Sequence, residues 1–200
     1  MQIKTYVIGM IENNDYLVWD EETKKAVLID VTADEQKIVD DINKLGLELE
    51  YIILTHGHFD HTMGYKFYMN AFPNAKLVAA KKEAKMLYDR KLSMRPGGIV
   101  ADVNVVDGDE LKVGNLTLKF IETPGHSSGS MCILCENVLF SGDTLFRCSV
   151  GRTDFPTGNS EQIIDSIKNK LFTLPDDTVV LPGHNDQTTI GFEKRYNPFV

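Results

Sequence analysis

Three histidines and one aspartate occur within six residues of this chain, in the segment His56-Gly-His58-Phe-Asp60-His61. Neutral imidazole nitrogens and carboxylate oxygens are ligands that divalent transition metals take in proteins. A single histidine is more often a surface residue or a hydrogen-bonded core residue, but this local density of donors favours metal binding. The segment therefore predicts a metal site.

Two metal positions are expected from this loop. His56 and His58, two residues apart in an extended loop, can point the same way, while Asp60 and His61 can turn toward a second position. Neither position is complete, and the remaining candidates follow later predicted strands. With three protein ligands for each position, His56, His58 and His126 are assigned to one ion, and Asp60, His61 and His184 to the other. Asp143 is left as a ligand that could bridge both ions. Three protein ligands per ion and a shared carboxylate leave room for water, which is typical of catalytic sites.

The elements that precede this segment are predicted from hydrophobic periodicity. A short apolar run at 51–54 leads directly into it and is typical of a strand buried on both faces. Earlier runs at 2–9, 15–20 and 25–30, with polar residues between them, predict an antiparallel meander. Thr32 and Glu35 form a capping box, which predicts a helix that ends at Gly46.

Strands and helices continue to alternate after the histidine segment, which predicts an α/β fold. No linker divides the chain, so residues 1–200 are expected to form a single domain. We expect helices near 61–72, 81–92 and 160–173, strands at 76–79, 116–121, 130–135, 137–141 and 178–181, and a flexible connection at 94–98.

Composition excludes several classes of function. The chain has 21 basic and 29 acidic residues, a net charge of −8, which argues against a nucleic-acid partner. Its apolar runs fall far short of the ~20 residues of a membrane span, and its amino terminus does not read as a signal peptide. Three cysteines, few and odd in number, suit the cytoplasm. Cys132 and Cys135, three apart in a predicted strand, should face opposite sides of a sheet.

Four motifs resemble those of the metallo-β-lactamase superfamily, and specifically its short glyoxalase II-like hydrolases. They are Thr-His-Gly-His-Phe-Asp-His at 55–61, Thr-Pro-Gly-His at 123–126, Ser-Gly-Asp at 141–143 and Pro-Gly-His at 182–184. The resemblance implies a four-layer αββα sandwich of two mixed β-sheets, with two metal ions in a shallow groove at one edge. It implies the ligand assignment given above, with zinc as the expected metal and iron or manganese as alternatives.

The resemblance also implies an activity. An aspartate at position 143, where antibiotic-hydrolysing members have cysteine, is similar to the thioesterase branch. The leading hypothesis is hydrolysis of a small-molecule thioester, such as S-D-lactoylglutathione, by a hydroxide held between two metal ions. Asp60 is then expected to accept a proton as well as to bind metal. Asp30 resembles the acidic residue that family members place behind the histidines of the first metal.

A loop at 146–158 resembles the Gly-Arg-containing loop of glyoxalase II-like proteins and persulfide dioxygenases. Arg147 and Arg152 are candidates for binding a substrate carboxylate, although Arg152 can equally pair with Asp154. Only 16 residues follow His184, so the helical glutathione-binding domain of authentic glyoxalase II is not expected.

The alternative hypothesis is a mononuclear non-haem iron persulfide dioxygenase. The resemblance implies that its iron is held by the residues matching His56, His126 and Asp143. The sequence leaves this alternative and the oligomeric state open.

Overall fold

The computed structural model describes residues 1–94 and 97–200. Two mixed six-stranded sheets form its centre. The first sheet contains, in spatial order, β1 (Gln2–Ile8), β2 (Asn13–Trp19), β3 (Lys25–Ile29), β4 (Glu48–Leu54), β5 (Lys76–Ala80) and β6 (Val103–Val105). Strands β1 to β3 pair antiparallel, as the predicted meander requires, and β3 to β6 pair parallel.

The second sheet is mostly antiparallel, with one parallel pair at its centre. Its strands are β7 (Glu110–Val113), β8 (Leu116–Glu122), β9 (Met131–Cys135), β10 (Val138–Gly142), β13 (Val179–Pro182) and β14 (Thr188–Thr189). The spatial order is β14-β13-β10-β9-β8-β7, and β10 and β13 are the parallel pair. A small separate hairpin consists of β11 (Leu145–Phe146) and β12 (Ser149–Val150).

Helices cover the outer faces of both sheets, and one short helix lies at the edge of the sandwich. They are α1 (Gln36–Leu45), α2 (Phe59–Thr62), α3 (Tyr65–Ala71), α4 (Ala84–Tyr88), α5 (Ser160–Asn169) and α6 (Ile190–Tyr196), with 3₁₀ turns at Lys81–Glu83 and Leu171–Thr173. Within the described ranges, no helix combines the length and the apolar character that crossing a bilayer requires.

Three apolar clusters separate four layers. The first lies between the first sheet and helices α1, α3 and α4, where Ile38, Tyr68 and Leu87 meet strand residues such as Leu28. The second fills the space between the sheets, and the third packs the outer face of the second sheet against α5 and α6. The predicted αββα sandwich is therefore confirmed.

Cys132 and Cys135 lie in different clusters, on opposite faces of β9, as their spacing predicts. Both are buried, unpaired thiols. They act as small core residues.

The topology brings the ends of several strands to one edge of the sandwich. Strands β8, β10 and β13 run in the same direction, so the residues after them, including His126, Asp143 and His184, emerge at the same edge. The start of β2 closes this edge, since Asn13 bridges to His184 and the Asn14 N–H donates to the Gly183 carbonyl at 2.7 Å. The two sheets are thus joined where the histidine loop leaves β4.

Several predicted boundaries are wrong for local physical reasons. Thr32 does not cap α1: Glu35 is the N-cap, while Thr32 donates its hydroxyl to Asp15 at 2.7 Å. The helix predicted at 61–72 is divided into α2 and α3 at Gly64, where a Cβ would lie 2.5 Å from the Ala33 carbonyl oxygen.

Other predicted helices are shorter than expected, and some elements of the structure were not predicted. The helix predicted at 81–92 ends at Tyr88, and the one at 160–173 ends as α5 at Asn169 before a 3₁₀ turn. Asn13 and Asn14 lie inside β2 rather than in a turn, and helix α6 was not predicted. The connection predicted at 94–98 includes residues 95 and 96, which lie outside the described residues.

Candidate metal centre

All seven predicted ligands converge at this edge of the sandwich. The loop between β4 and α2 carries His56 and His58, and α2 itself carries Asp60 and His61. The other three predicted ligands, which follow β8, β10 and β13, are His126, Asp143 and His184. Asp60 and His184 are partly exposed, whereas the other histidines are almost fully buried.

Three imidazole nitrogens meet in the first group. His126 Nε2 lies 2.8 Å from His58 Nδ1 and 3.2 Å from His56 Nε2. We call His56, His58 and His126 the first triad; its ligand atoms all lie within 4.8 Å of one another. The contact between His58 Nδ1 and His126 Nε2 is a hydrogen bond when one of these nitrogens carries a proton, and a metal ion bound by all three nitrogens would take the place of that proton.

A second group combines imidazoles with a carboxylate. Asp60 Oδ2 lies 3.4 Å from His184 Nε2 and 3.8 Å from His61 Nε2. Asp60, His61 and His184, the second triad, also place their ligand atoms within 4.8 Å of one another.

Asp143 reaches both triads. Its Oδ1 lies 3.3 Å from His61 Nε2, and its Oδ2 lies 3.6 Å from His126 Nε2 and 3.7 Å from His184 Nε2. One carboxylate therefore faces imidazoles from each triad, which is the arrangement that a bridging ligand requires.

Three imidazoles use their Nδ1 atoms in hydrogen bonds that point away from the metal centre, and these bonds fix which ring nitrogen faces the centre. His61 Nδ1 donates to Asp30 Oδ2 at 2.7 Å, His126 Nδ1 to the Arg152 carbonyl at 2.7 Å, and His184 Nδ1 to the Ile11 carbonyl at 3.1 Å. Since each Nδ1 donates its proton to one of these acceptors, each Nε2 is the nitrogen that faces the site, and it presents a lone pair whenever the imidazole is neutral.

Buried polar atoms without partners mark the same point. Among the described residues, no group hydrogen-bonds His58 Nε2, His61 Nε2 or Asp143 Oδ1. Buried polar atoms in proteins are normally paired, so the unpaired His61 Nε2 and Asp143 Oδ1 fit ligands of divalent cations. The donor set, nitrogen with carboxylate oxygen, suits zinc, iron or manganese.

Asp30 lies behind the site, but its position differs from the one that the resemblance implied. It bonds directly to His61, in the second triad, and reaches His56 of the first triad only through Thr55. The Thr55 hydroxyl donates to Asp30 Oδ2 at 2.8 Å and lies 3.1 Å from His56 Nδ1. The reason is that β3 and β4 are neighbours, so Asp30 at the end of β3 lies level with Thr55.

The electrostatic environment differs between the triads. Burial and the neighbouring imidazoles lower the pKa of His58 to about 4 and hold the pKa of His56 well below its usual range. Burial also disfavours the charged form of His61, but the charges of Asp143 and Asp30 hold its pKa well above the usual range. His56 and His58 are thus neutral and ready to bind metal at neutral pH, whereas metal binding at His61 displaces a proton.

A cavity of about 510 Å³ opens above the triads. His58, Asp60, His126, Asp143 and His184 contribute to its floor, and its walls are largely apolar. The wall residues include Ile11, Phe59, Phe146, Val150 and Phe155. The volume is typical of sites for small molecules.

The two predicted arginines occupy different places. Arg152 lines the cavity, stacks on the Phe155 ring at 3.9 Å, and pairs with both carboxylate oxygens of Asp154 at 2.8 and 2.7 Å. Arg147 is not part of the described cavity lining; its guanidinium lies 5.6 Å from the centre of the Phe192 ring.

Sequence reasoning missed a supporting residue at the start of β2. The Asn13 amide donates to the Asp60 carbonyl at 2.7 Å and to the Thr32 hydroxyl at 2.6 Å, and so fixes the backbone of a predicted ligand. The signal was present as two adjacent asparagines in a strand-forming region, but such residues are more typical of turns.

An αββα sandwich with this histidine and aspartate centre at one edge defines a class of metal-binding proteins. The sequence model of the metallo-beta-lactamase superfamily matches residues 9–184, and the chain belongs to this superfamily. The predicted resemblance is confirmed. Hydroxyacylglutathione hydrolase GloC from Haemophilus influenzae is 33% identical over 210 residues, covering 100% of this chain and 98% of the relative.

Solved structures agree with this assignment. The BLEG-1 B3 metallo-beta-lactamase superposes with a TM-score of 0.90 at 35% identity and 99% coverage of both chains. ETHE1 from Myxococcus xanthus gives 0.87 at 34% identity, covering 99% of this chain and 84% of that one. TTHA1623 in a di-iron-bound form gives 0.87 at 31% identity, covering 98% and 100%.

Proposed function

We propose that the protein is a metal-dependent hydrolase of small acyl thioesters, such as S-D-lactoylglutathione. The observation that carries the proposal is the pair of triads sharing Asp143 on the floor of one cavity. The similarity to a hydroxyacylglutathione hydrolase supports a thioester as the substrate.

In this proposal, each triad would hold one divalent ion, with zinc as the expected metal, and Asp143 would serve as a ligand to both ions. Such ions lower the pKa of water and polarise an acyl carbonyl. The similarity to a di-iron protein supports two ions per chain and keeps iron as an alternative metal. His126 of the first triad and His61 and His184 of the second are anchored by hydrogen bonds from their Nδ1 atoms, which limits their motion when the substrate reacts.

Asp60 has the proposed role of proton acceptor. Although burial favours its neutral form, the neighbouring His184 and the charge of His61 hold the pKa of Asp60 below its usual value. Its carboxylate is therefore ionised at neutral pH and lines the cavity floor, where it would accept a proton from the attacking water. A thiolate leaves readily because the pKa of a thiol is only about 8.5, so no separate general acid is assigned.

The cavity walls orient the substrate in this proposal. The apolar side chains of Ile11, Val150 and Phe155 line the cavity and would exclude water from its floor. The Arg152 guanidinium at the rim is the proposed partner for a substrate carboxylate. We also propose a cytoplasmic location, because all three cysteines are free thiols.

The test combines metal analysis with a panel of thioesters that includes S-D-lactoylglutathione. We expect two ions per chain and turnover under anaerobic conditions. His58→Ala and Asp143→Ala should abolish thioesterase activity and lower the metal content together. Full activity in either variant would overturn the proposal.

A second candidate is a mononuclear iron persulfide dioxygenase. It is favoured by one geometric observation: His126 Nε2 lies near both His56 Nε2 and Asp143 Oδ2, at 3.2 and 3.6 Å, and two imidazoles with one carboxylate are typical ligands of non-haem iron. One iron per chain, with oxygen consumption on glutathione persulfide and no anaerobic thioester turnover, would favour this activity over the hydrolase.

A further inference from the structure

Glu83 is a buried carboxylate with no role in the proposed reaction. It ends the 3₁₀ turn after β5 and is 1% exposed. Burying a carboxylate is costly unless its oxygens are hydrogen-bonded, so its position requires an explanation. The side chain contacts two of the loops that carry predicted ligands.

One oxygen holds the first loop. Glu83 Oε1 accepts a hydrogen bond from the Gly57 N–H at 2.9 Å. Gly57 lies between His56 and His58, so this bond fixes the backbone between two members of the first triad. A Cβ on Gly57 would lie 3.3 Å from the same oxygen, which shows how closely the loop approaches the carboxylate.

The other oxygen faces the second loop. A Cβ on Gly129 would lie 2.5 Å from Glu83 Oε2 and 2.5 Å from the Glu83 nitrogen, so the chain after His126 packs directly against this residue. Among the described residues, no group completes a well-formed hydrogen bond to Oε2. The Ser127 hydroxyl and the Gly129 N–H nevertheless favour the charged carboxylate, while burial raises its pKa.

We propose that Glu83 is a positioning residue for the first triad. It holds the loop of His56 and His58 against the loop of His126, so that the three nitrogens converge before metal binds. The inference rests on the metal ligands of the proposed function but not on its thioester substrate.

The second triad has different anchors. Asp30 holds His61, Asn13 holds the Asp60 backbone, and the Ile11 carbonyl holds His184. Glu83 touches none of these bonds. Its loss should therefore weaken metal binding at the first triad and leave the second unchanged, a difference that a general loss of stability would not produce.

The experiment measures zinc affinity by chelator competition in two backgrounds. His184→Ala leaves the first triad intact, and His126→Ala leaves the second intact. We expect Glu83→Ala to weaken zinc binding by roughly 10- to 100-fold in the His184→Ala background, the range typical of lost supporting contacts. In the His126→Ala background, the affinity should not change.

A second variant and a metal-free measurement complete the test. Glu83→Gln keeps a carbonyl oxygen for the Gly57 N–H but directs an amide donor at Gly129. It should therefore lower the zinc affinity less than Glu83→Ala does. In the metal-free protein, hydrogen exchange of the Gly57 amide should accelerate in Glu83→Ala and stay slow in Glu83→Gln. These readouts do not depend on which substrate is hydrolysed.

Asp20→Ala is the matched control, since Asp20 also accepts backbone N–H bonds in a buried setting but lies at the opposite end of β2. It should leave zinc affinity unchanged in both backgrounds. Unchanged affinity of Glu83→Ala in the His184→Ala background, or equal losses in both backgrounds, would overturn the inference.

Discussion

The Nδ1 atom of His61 lies 2.7 Å from Oδ2 of Asp30, and both side chains are almost fully buried. The same carboxylate accepts hydrogen bonds from the Thr55 N–H and hydroxyl, each at 2.8 Å. Through these bonds Asp30 fixes His61 directly and His56 through Thr55. One side chain that binds no metal itself thus orients an imidazole in each triad.

Asp30→Asn should therefore weaken metal binding at both triads. The amide keeps the size of the carboxylate but loses its charge and one acceptor, so His61 and Thr55 cannot both be satisfied. We expect a loss of roughly 10- to 100-fold in zinc affinity, measured by chelator competition. Asp20→Asn, which changes a carboxylate far from the site, is the control, and an unchanged affinity in Asp30→Asn would contradict the assigned role.

The metal ligands were predictable because their signal is local or repeats at strand ends. Four of them share the segment after β4, and the other three follow strands that run in the same direction, so their convergence follows from the topology. The supporting residues carry no such signal. Glu83 lies in a lysine-rich stretch, which is typical of a solvated helix face, and only the packing of two ligand-bearing loops against it reveals that it is buried. Thr32 and Glu35 match the sequence pattern of a capping box, but the Thr32 hydroxyl bonds to Asp15 and not to the helix backbone.

Arg152 offers a test of how the cavity binds an anionic substrate. The arginine pairs with Asp154 at an exposed position, where solvent screening weakens the attraction, so the guanidinium can exchange Asp154 for a substrate carboxylate. Arg152→Ala should raise KM for a thioester that bears a carboxylate and leave KM for a neutral thioester unchanged. Asp154→Ala, which releases the guanidinium, should lower KM for the anionic substrate.

Steady-state kinetics with both substrates provide the measurement. Arg147→Ala is the matched control, because that guanidinium stacks on Phe192 instead of lining the cavity. Equal effects of Arg152→Ala on the charged and neutral substrates would show that Arg152 shapes the loop and does not bind the carboxylate.

Glu193 links the carboxyl-terminal helix to the cavity wall. Its carboxylate accepts hydrogen bonds from the Cys148 N–H at 2.9 Å, the Asn197 amide at 2.8 Å and the Thr188 hydroxyl. Glu193→Ala leaves these donors unpaired and should destabilise the protein by roughly 1–3 kcal/mol, as measured by urea unfolding. Because Cys148 connects β11 to β12, hydrogen exchange at 145–150 should also accelerate.

The same loosening should reach the substrate, since Phe146 and Val150 of this hairpin line the cavity. We expect KM to rise in Glu193→Ala. Asp165→Ala, an exposed change on α5, is the control and should alter neither stability nor exchange. Slow exchange at 145–150 in Glu193→Ala would show that α6 does not hold the hairpin.

Asp41 gives the fold a pH-dependent contact far from the metals. Its Oδ2 accepts from Lys4 Nζ at 2.7 Å and from the Tyr6 hydroxyl at 2.8 Å, which ties α1 to β1. These bonds, that of Lys4 foremost, lower the pKa of Asp41 to about 2. In the unfolded chain the pKa is about 3.9. The folded state therefore binds the proton less tightly than the unfolded chain does. The stabilisation by the ionised Asp41 carboxylate is complete above pH 4 and is lost as the pH falls toward 2.

Asp41→Asn should consequently lower the free energy of unfolding by about 1 kcal/mol at pH 7, after allowance for solvent screening of a surface pair. The difference from the unmodified protein should shrink between pH 4 and pH 2, because protonation removes the same charge. Urea unfolding at pH 7, 4 and 3 measures it. Asp40→Asn, one residue earlier on the exposed face of α1, is the control. A difference that stays constant down to pH 3 would mean that the carboxylate stabilises through packing and not through its charge.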